Sequence, residues 1–261
     1  MKVRLDKVIV ERGLAENRTK AQALILAGQV IVNQQRVDKP GQLVQPDSEI
    51  RIKGETSRYA SRGGLKLESA LANFRVDPSG RHCLDVGAST GGFTDCLLQH
   101  GAAHVWAVDV GHNQIIWRLR NDPRVTVLEG LNARNLSPEM FPLKFELATI
   151  DVSFIGLAKV LPAISDCLTD VADCIALVKP QFEVGKGEVG KGGVVSDRQK
   201  HRRVLNEVRK SAESSGLWAH AAIESPILGA DGNREFFLHL RRSEPADSGL
   251  VDKQISELTN E

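Results

Sequence analysis

From about residue 64 onwards, apolar runs alternate with helical stretches, and this alternation constrains the fold more than any other feature. Such a chain buries its strands in a parallel sheet with helices on both faces. We therefore predict an α/β fold with a doubly wound, Rossmann-like sheet. Its predicted strands are residues 82–86, 105–110, 124–128, 145–150, 174–178, 218–225 and 235–240. Its predicted helices cover roughly residues 64–74, 91–100, 112–120, 155–167 and 198–215.

The last two predicted strands are separated only by a turn at residues 228–233. A turn of this length predicts a hairpin, which would give the sheet an antiparallel edge strand. Ligands of such sheets bind beyond the carboxyl ends of the parallel strands. Residues that follow those strands are therefore the first candidates for a site.

A glycine-rich turn follows the first predicted strand and opens a helix. Its candidate cofactor-binding residues are Asp85, Gly87, Ser89, Thr90, Gly91, Gly92 and Phe93. About twenty residues on, the second strand ends at Asp109, which is placed to accept hydrogen bonds from ribose hydroxyls. Asn132, after the third strand, is placed either to meet an adenine edge or to cap a turn.

The turn departs from the dinucleotide fingerprint, because Asp85 stands just before its first glycine. A carboxylate there would repel a pyrophosphate, but it suits a ligand with a cationic amino group. We therefore favour S-adenosylmethionine, which has no phosphate, over NAD. A tight turn that binds no ligand is the third interpretation.

Four charged residues fall where such a fold would bring side chains to one site: Lys66, Asp151, Lys179 and Glu235. Two lysines beside two acids suggest the removal of a proton from a weakly acidic hydroxyl. A lysine, whose ordinary pKa is about 10.4, becomes a base when a second ammonium or desolvation lowers that pKa. Lys66 could supply the second ammonium, with the acids orienting the pair. Surface ion pairs are the competing interpretation.

Residues 185–191 match most of a phosphate-binding P-loop, but Gly192 stands where a serine or threonine would hold magnesium. We interpret the segment as a glycine- and lysine-rich loop over an active site or on RNA phosphates. The four cysteines have no metal-ligand spacing, so we expect buried thiols and no metal.

The first 53 residues have a different pattern from the rest of the chain. Two short helices are predicted at residues 5–12 and 17–27, followed by short apolar runs that suggest a small sheet. Residues 1–60 contain eleven Lys or Arg against seven acids, which fits a polyanion partner. We predict a small α+β domain at 1–53, a linker at 54–63, the sheet domain at 64–242 and an acidic, disordered tail at 243–261.

At this point the sequence is identified as a member of a family. The segments 85–102, 151–155, 177–195 and 225–240 resemble the TlyA family, whose members are S-adenosylmethionine-dependent ribosomal RNA 2′-O-methyltransferases. Residues 4–33 resemble the S-four RNA-binding domain. The resemblance implies a catalytic tetrad of Lys66, Asp151, Lys179 and Glu235, with Lys179 as general base. It also implies a cofactor site lined by Asp85, Gly87, Asp109 and Asn132.

The resemblance also directs attention to basic residues that would contact RNA phosphates: Arg4, Arg18, Lys20, Arg36, Arg58 and Arg62. For the arginines, a solvated helix face is an equally weighted interpretation. Some family members carry a tryptophan in the interdomain linker, where this chain has Tyr59. Tyrosine can still stack on a base or pack between domains.

We therefore expect a cytoplasmic enzyme that methylates a ribose, at cytidine, in ribosomal RNA or ribosomal subunits. A membrane partner and an obligate protein partner are not expected. Two alternatives are a membrane-active haemolysin and a catalytically silent RNA-binding assembly factor. The chain contains no apolar run near the roughly 18 residues of a membrane span, which argues against direct pore formation.

Overall fold

The computed structural model describes residues 2–12, 14–15, 17–33, 35–45, 48–52, 58–185, 187–229 and 232–260. The chain divides into two compact units, residues 1–58 with 116–118 and residues 59–115 with 119–261. Within the described ranges, no helix combines the length and the apolar character that crossing a membrane requires.

The first unit is a small α+β domain. Asn17 caps the second helix by accepting from Lys20 N at 2.9 Å, and Gly28 follows that helix with a φ of +65°. The packing of both helices against the strands buries an apolar core that includes Leu5, Ile9 and Ile25. Its elements are β1 (Val3–Arg4), α1 (Leu5–Glu11), α2 (Arg18–Leu26), β2 (Val30–Val32), β3 (Gln35–Val37), β4 (Leu43–Val44) and β5 (Ile50–Ile52).

The predicted alternation of helices and strands is confirmed in the rest of the chain. The elements are α3 (Gly63–Phe74), β6 (His82–Val86), α4 (Gly92–Gln99), β7 (His104–Asp109), α5 (Trp117–Arg120), β8 (Val125–Glu129), β9 (Phe145–Ile150), α6 (Leu161–Asp166), β10 (Leu168–Val178), α7 (Pro180–Glu183), α8 (Arg198–Ser214), β11 (Trp218–Glu224), β12 (Phe236–Arg241) and α9 (Ser248–Thr259).

Two predicted helices are shorter than expected. The helix predicted at 112–120 reduces to α5, because Asn113 has a left-handed φ of +56° that a right-handed helix cannot contain. The helix predicted at 155–167 is divided into a 3-10 turn, Leu157–Lys159, and α6. Pro162 lies in the first turn of α6, where its missing N–H is tolerated.

The strands form one seven-stranded sheet in the order β11-β12-β10-β9-β6-β7-β8. The five strands from β10 to β8 run parallel, and β12 runs antiparallel to both of its neighbours. The predicted hairpin therefore exists, but β12, the strand that opposes the others, lies one place inside the edge and β11 is outermost. Residues Phe236–Leu240 of β12 are all buried, as a position covered on both faces requires, whereas β11 is mostly half-buried.

The prediction of a disordered tail is wrong. Residues Ser248–Thr259 form α9, which Asp247 caps by accepting from Gly249 N at 2.9 Å. Val251 and Ile255 are buried in the main apolar core. The composition of the tail is dominated by acidic residues, so it does not show that the apolar residues lie on one face of a helix. Burial of that face offsets the entropy lost when the segment becomes ordered.

The predicted linker boundary also changes. Residues 53–57 lie outside the described ranges, but Tyr59 already belongs to the second unit and is 1% exposed. Its ring packs on α3, where a Cβ at Gly64 would lie 2.3 Å from Tyr59 Cγ. A side chain buried to this extent cannot stack on an RNA base.

A buried carboxylate, that of Asp173, connects neighbouring strands at the end of the sheet opposite the glycine turn. Asp173 is 1% exposed and accepts from Arg81 at 2.6 Å, and from His239 and Arg241 at 2.7 Å each. Burial alone would raise the pKa of Asp173, but the hydrogen bonds from His239, Arg241 and Arg81 outweigh burial, so the pKa lies well below its usual range.

We expect Asp173→Ala to lower the free energy of unfolding by about 3 kcal/mol, because three donors lose their shared acceptor. Urea denaturation of the two proteins measures the difference. Asp170, whose side chain is fully exposed on the same strand, supplies the control. Asp170→Ala should leave the unfolding curve unchanged, and an equal effect of the two substitutions would contradict a special role for Asp173.

Candidate active site

The four residues of the predicted tetrad are brought to one edge of the sheet by its topology. Asp151 and Lys179 directly follow the parallel strands β9 and β10, so both lie at the carboxyl edge. Glu235 directly precedes β12, and because β12 runs the opposite way its beginning lies at that same edge. The register confirms this placement, since Val178 pairs with Phe236.

The tetrad forms two ion pairs. Lys66 Nζ, on α3, lies 2.6 Å from Glu235 Oε2, and the two side chains are 12% and 3% exposed. Lys179 Nζ lies 2.5 Å from Asp151 Oδ1. The angles of this second contact are not those of a hydrogen bond, and Lys179 Nζ instead donates to Ser153 Oγ at 2.9 Å. Each lysine is thus neutralised by a carboxylate at a sheltered position.

Two cavities flank the tetrad, and they share a wall. We call the first the nucleoside cavity; it has a volume of about 500 Å³ and lies between the ends of β6, β7, β8 and β9. We call the second the α3 cavity; it has a volume of about 410 Å³ and lies beside the start of α3. Gly87, Ser89 and Asp151 line both cavities.

The nucleoside cavity contains the predicted ribose-binding carboxylate. Asp109 Oδ2 accepts from Ser89 N at 2.8 Å and Asp109 Oδ1 accepts from Gly111 N at 2.7 Å, so backbone amides hold the carboxylate in place. Each oxygen keeps a second lone pair for a ribose hydroxyl. Asn132 also lines this cavity, while its Oδ1 accepts from Arg134 N at 3.0 Å, so it caps a turn as well.

The walls of the nucleoside cavity suit a ligand without phosphate. Apolar side chains, among them Val110, Leu131 and Ile155, offer surfaces for a flat base. Among the described residues, its lining contains two carboxylates, Asp109 and Asp151, and neither lysine nor arginine. A phosphate would be repelled there, whereas a nucleoside with a cationic substituent fits.

Asp85 does not occupy the position predicted for it. It is completely buried and accepts from Thr94 Oγ1 at 2.6 Å and Thr149 Oγ1 at 2.9 Å, and it lines neither cavity. Burial raises the pKa of Asp85 to about 7, although the two threonine hydrogen bonds lower it in part. Its role in this structure is to brace the glycine turn from below, because Thr94 lies in α4 and Thr149 in β9.

The other residues of the glycine turn divide between the cavities. Thr90, Gly92 and Phe93 line only the α3 cavity. Gly91 lines neither cavity: it precedes α4 with a φ of +97°, and a Cβ there would lie 2.3 Å from Leu119. Gly91 is therefore required by the conformation of the turn and does not contribute to either cavity.

Two of the arginines predicted to bind RNA are partly engaged within the first unit. Arg4 and Arg18 both donate to Asp6, at 3.0–3.1 Å and 2.9 Å, and Asp6 is completely buried. The Arg4 hydrogen bond is the largest influence and holds the pKa of Asp6 well below its usual range. About half of each arginine side chain remains exposed, at 46% and 58%.

The remaining predicted RNA contacts have different surroundings. Lys20 is exposed in the first turn of α2, and Arg36 lies on β3 with its guanidinium over Gly28. Arg58 is exposed at the end of the first unit. Arg62 belongs to the second unit and lines the α3 cavity.

Sequence reasoning missed Phe154. Its side chain is 92% exposed, its φ is +63°, and its ring centroid lies 4.8 Å from that of Phe182. A bulky residue rarely adopts that φ, so the conformation must be held by its surroundings. Leu157 N, in the same loop, donates to Glu183 Oε1 at 2.9 Å. An apolar residue directly after the Asp-Val-Ser segment was the available signal.

The glycine- and lysine-rich loop is anchored to α8 and to the turn before Glu235. Glu188 accepts from Arg203 at 2.7 Å, and Val195 N donates to Asn233 Oδ1 at 3.0 Å. Lys186 lies outside the described ranges. Among the described residues, no group of three or more potential ligands could hold a metal ion. The four cysteines are buried and form no disulfide.

Comparisons with known proteins show to which families the two parts of the chain are similar. Residues 59–242 match the profile of FtsJ-like methyltransferases, and residues 3–50 match that of the S4 domain. The 16S/23S rRNA (cytidine-2′-O)-methyltransferase TlyA of Mycobacterium tuberculosis is 48% identical over 241 residues, 92% of this chain and 90% of that protein. Hemolysin A of Brachyspira hyodysenteriae is 41% identical over 238 residues, 91% of this chain and 99% of that protein. A solved structure of a hemolysin candidate from Streptococcus thermophilus is 42% identical with a TM-score of 0.74, and the match covers 98% of this chain and 95% of that one.

The burial of Asp85 predicts a specific pH dependence of stability. Its pKa is about 7 in the folded protein against 3.8 ordinarily, so the folded state holds a proton that the unfolded state releases. This contribution to stability is fully present below about pH 4 and is lost as the pH rises through about 7. The difference in free energy of unfolding between Asp85→Asn and the wild type should therefore shift in favour of the variant as the pH rises from 5 to 8. Urea denaturation at both pH values measures this difference, and the same difference at pH 5 and pH 8 would contradict the prediction.

Gly87 generates a second prediction because it has both a left-handed φ of +86° and no room for a side chain. A Cβ there would lie 2.4 Å from Asp151 O. Gly80 has a similar φ of +72° with nothing within 4 Å, so Gly80→Ala is the matched control. Both changes should cost about 1–2 kcal/mol in backbone strain. We expect only Gly87→Ala to move Asp151 and weaken S-adenosylmethionine binding, as measured by calorimetry; equal binding by the two variants would count against this.

Proposed function

The chain belongs to the TlyA group of the FtsJ-like methyltransferases, and on that premise we propose that it methylates the ribose 2′-hydroxyl of a cytidine in ribosomal RNA. S-adenosylmethionine is the proposed methyl donor, and ribosomal RNA or the ribosomal subunits are the proposed partners. A cytoplasmic location is part of the proposal, because the substrate is found there.

The observation that carries the proposal is the position of Asp151. Its side chain is shared by the two cavities, and its Oδ1 lies 2.5 Å from Lys179 Nζ. A methyl donor in one cavity and an acceptor hydroxyl in the other would meet beside this ion pair. Transfer of a methyl group requires such an approach, because the attacking oxygen and the methyl carbon must be held together in the correct orientation.

The nucleoside cavity supports S-adenosylmethionine as the donor. Asp109 would accept hydrogen bonds from the ribose, Asn132 would lie at the adenine, and the apolar side chains would pack on its faces. Bound there, S-adenosylmethionine would supply a methyl group activated by the positive charge of its sulfonium. The carboxylates of Asp109 and Asp151 favour that charge, whereas they would disfavour the phosphates of a dinucleotide.

The tetrad supplies the proton chemistry. Once its ammonium has released a proton to solvent, Lys179 Nζ would take the proton from the 2′-hydroxyl as the oxygen attacks the methyl carbon and the carbon–sulfur bond breaks, which leaves S-adenosylhomocysteine. Asp151 would hold Lys179 in place and stabilise the ammonium that forms. Lys66 would stabilise the negative charge that develops on the oxygen, and its ion pair with the buried Glu235 keeps it in position. The assignment of Lys179 as base rests on the family resemblance, and its position beside Asp151, the residue common to both cavities, is compatible with that role.

The S4 domain would bring the RNA to this site. Arg4 and Arg18 retain exposed donors beside their contacts with Asp6, and Lys20, Arg36 and Arg58 add positive charge on the same unit. Contacts of this kind position RNA without reading its sequence. Phe154, exposed in the loop that follows Asp151, is suited to stacking on an unpaired base near the acceptor ribose.

The two alternative functions do not account for the site. A membrane-active haemolysin would need neither the paired lysines nor a cavity for a nucleoside. A silent assembly factor could bind RNA with its S4 domain alone. Sheltered ion pairs at 2.5 and 2.6 Å beside a cofactor-sized cavity support a catalytic function over both alternatives.

We expect Lys179→Ala and Lys66→Ala each to lower the turnover rate by about 10²–10⁴, because each removes proton transfer or charge stabilisation. Transfer of labelled methyl from S-adenosylmethionine to ribosomal subunits measures this. Resistance of the labelled phosphodiester to alkali shows that the methyl is on the 2′-oxygen. Lys144, exposed just before β9 at the opposite edge, gives the control variant Lys144→Ala.

The outcomes separate the parts of the proposal. Unlabelled RNA with the wild-type protein would refute the function. Labelled RNA that remains sensitive to alkali would place the methyl on a base. Full activity of Lys179→Ala with loss in Lys66→Ala would transfer the role of base to Lys66.

A further inference from the structure

Arg62 is an exposed arginine directly before α3. It lines the α3 cavity, yet it makes no ion pair and no side-chain hydrogen bond among the described residues. The other charged groups of that cavity are neutralised, Lys66 by Glu235 and Asp151 by Lys179. Among the described residues, the uncompensated charge at this wall is therefore the guanidinium of Arg62.

The surroundings of Arg62 are suited to an anion with hydrogen-bond acceptors. Ser61, Ser89 and Thr90, which carry hydroxyl groups, are among its lining residues. Ser61 Oγ accepts from Gly63 N at 3.3 Å, and its proton remains available for an acceptor. A guanidinium presents donors in a planar fork that matches two phosphate oxygens. Hydroxyl groups can donate to the same oxygens.

The chemistry of the substrate says which anion would be there. In RNA, the 2′-hydroxyl and the 3′-phosphodiester are on adjacent carbons of one ribose. If the hydroxyl lies beside Asp151 and Lys179, the 3′-phosphate must lie close to it. Asp151 is also in the wall of the α3 cavity, and the opposite side, the nucleoside cavity, has carboxylates and no basic residue among the described ones. The phosphate is therefore directed into the α3 cavity.

We propose that Arg62, with the hydroxyls of Ser61 and Thr90, forms a subsite for the phosphodiester 3′ to the methylated ribose. This inference rests on the proposed function and adds how the acceptor is positioned. A phosphate held there fixes the ribose on its 3′ side, so the 2′-oxygen faces Lys179. Arg62 is thus a substrate-binding residue that acts on orientation and takes no part in proton transfer.

The test compares Arg62→Ala with Arg62→Lys and with the matched control Arg75→Ala. Arg75 is exposed at the other end of α3 and outside both cavities. Methyl transfer to ribosomal subunits gives kcat/KM over a series of salt concentrations, and calorimetry gives the affinity for S-adenosylmethionine. The calorimetric titration also shows that each variant is folded.

We expect Arg62→Ala to lower kcat/KM by about tenfold or more at low salt, since a charge-assisted hydrogen bond to phosphate is lost. The slope of log kcat/KM against log salt should become shallower by about one. Arg62→Lys should recover the slope and part of the rate. Arg75→Ala should match the wild type in rate and slope, and all variants should bind S-adenosylmethionine equally.

Three results would overturn the inference. Arg62→Ala with the rate and slope of Arg75→Ala would show that no phosphate is held there. Loss of affinity for S-adenosylmethionine in Arg62→Ala would assign Arg62 to the cofactor instead. A reduced rate with an unchanged slope would indicate a contact with something uncharged. Absence of methyl transfer by the wild type is a separate result, which would refute the proposed function as well.

Discussion

The antiparallel pairing of β12 with β10 is the interaction on which the site depends. Parallel strands deliver only the residues that follow them to the carboxyl edge of a sheet. By running the other way, β12 delivers the residue that precedes it, Glu235, to that edge beside Lys179. Glu235 then holds Lys66, so a residue of α3 and a residue far along the chain become one ion pair.

A second constraint is the close approach of the main chain at Gly87 and Asp151. The absence of a side chain at Gly87 lets the carbonyl of Asp151 lie against the glycine turn, and Asp151 N donates to Val86 O at 2.8 Å. The wall that the two cavities share is therefore fixed by the backbone. Two reactants could approach each other across it while remaining in chemically different surroundings, one acidic and one basic.

The charged side chains fall into three groups that differ in burial and in whether they have a partner of opposite charge. Asp85 and Asp173 are buried and fully hydrogen-bonded, and they brace the sheet from opposite edges. The tetrad is sheltered and internally neutral. Arg62 has no partner within the described part of the chain, and it is therefore free for an incoming anion. This distribution could not be derived from net charge, which is only +1.

Much of the fold, and the positions of Asp151 and Lys179, were predictable from the sequence, because they depend on local patterns. Apolar periodicity marks strands and helices, and a charged residue directly after a buried strand falls at the carboxyl edge whatever the packing. The roles of Asp85, Arg4 and Arg18 were not predictable in the same way. Asp85 accepts a hydrogen bond from Thr149, and Arg18 donates one to Asp6. These partners are distant in the chain, so local sequence does not show whether such a side chain is available to a ligand or to RNA.

The sequence by itself determined the alternation of elements, the glycine turn, and the positions of Asp151 and Lys179 directly after buried strands. Only the tertiary structure decided that β12 lies inside β11, that the acidic tail folds as α9, and that Asp151 is shared by two cavities. The physical reason is that backbone conformation follows from local side-chain pattern, whereas strand order, burial and the shape of empty space follow from long-range packing. The position of Arg62 in the lining of a cavity, without an ion-pair partner among the described residues, also follows from long-range packing.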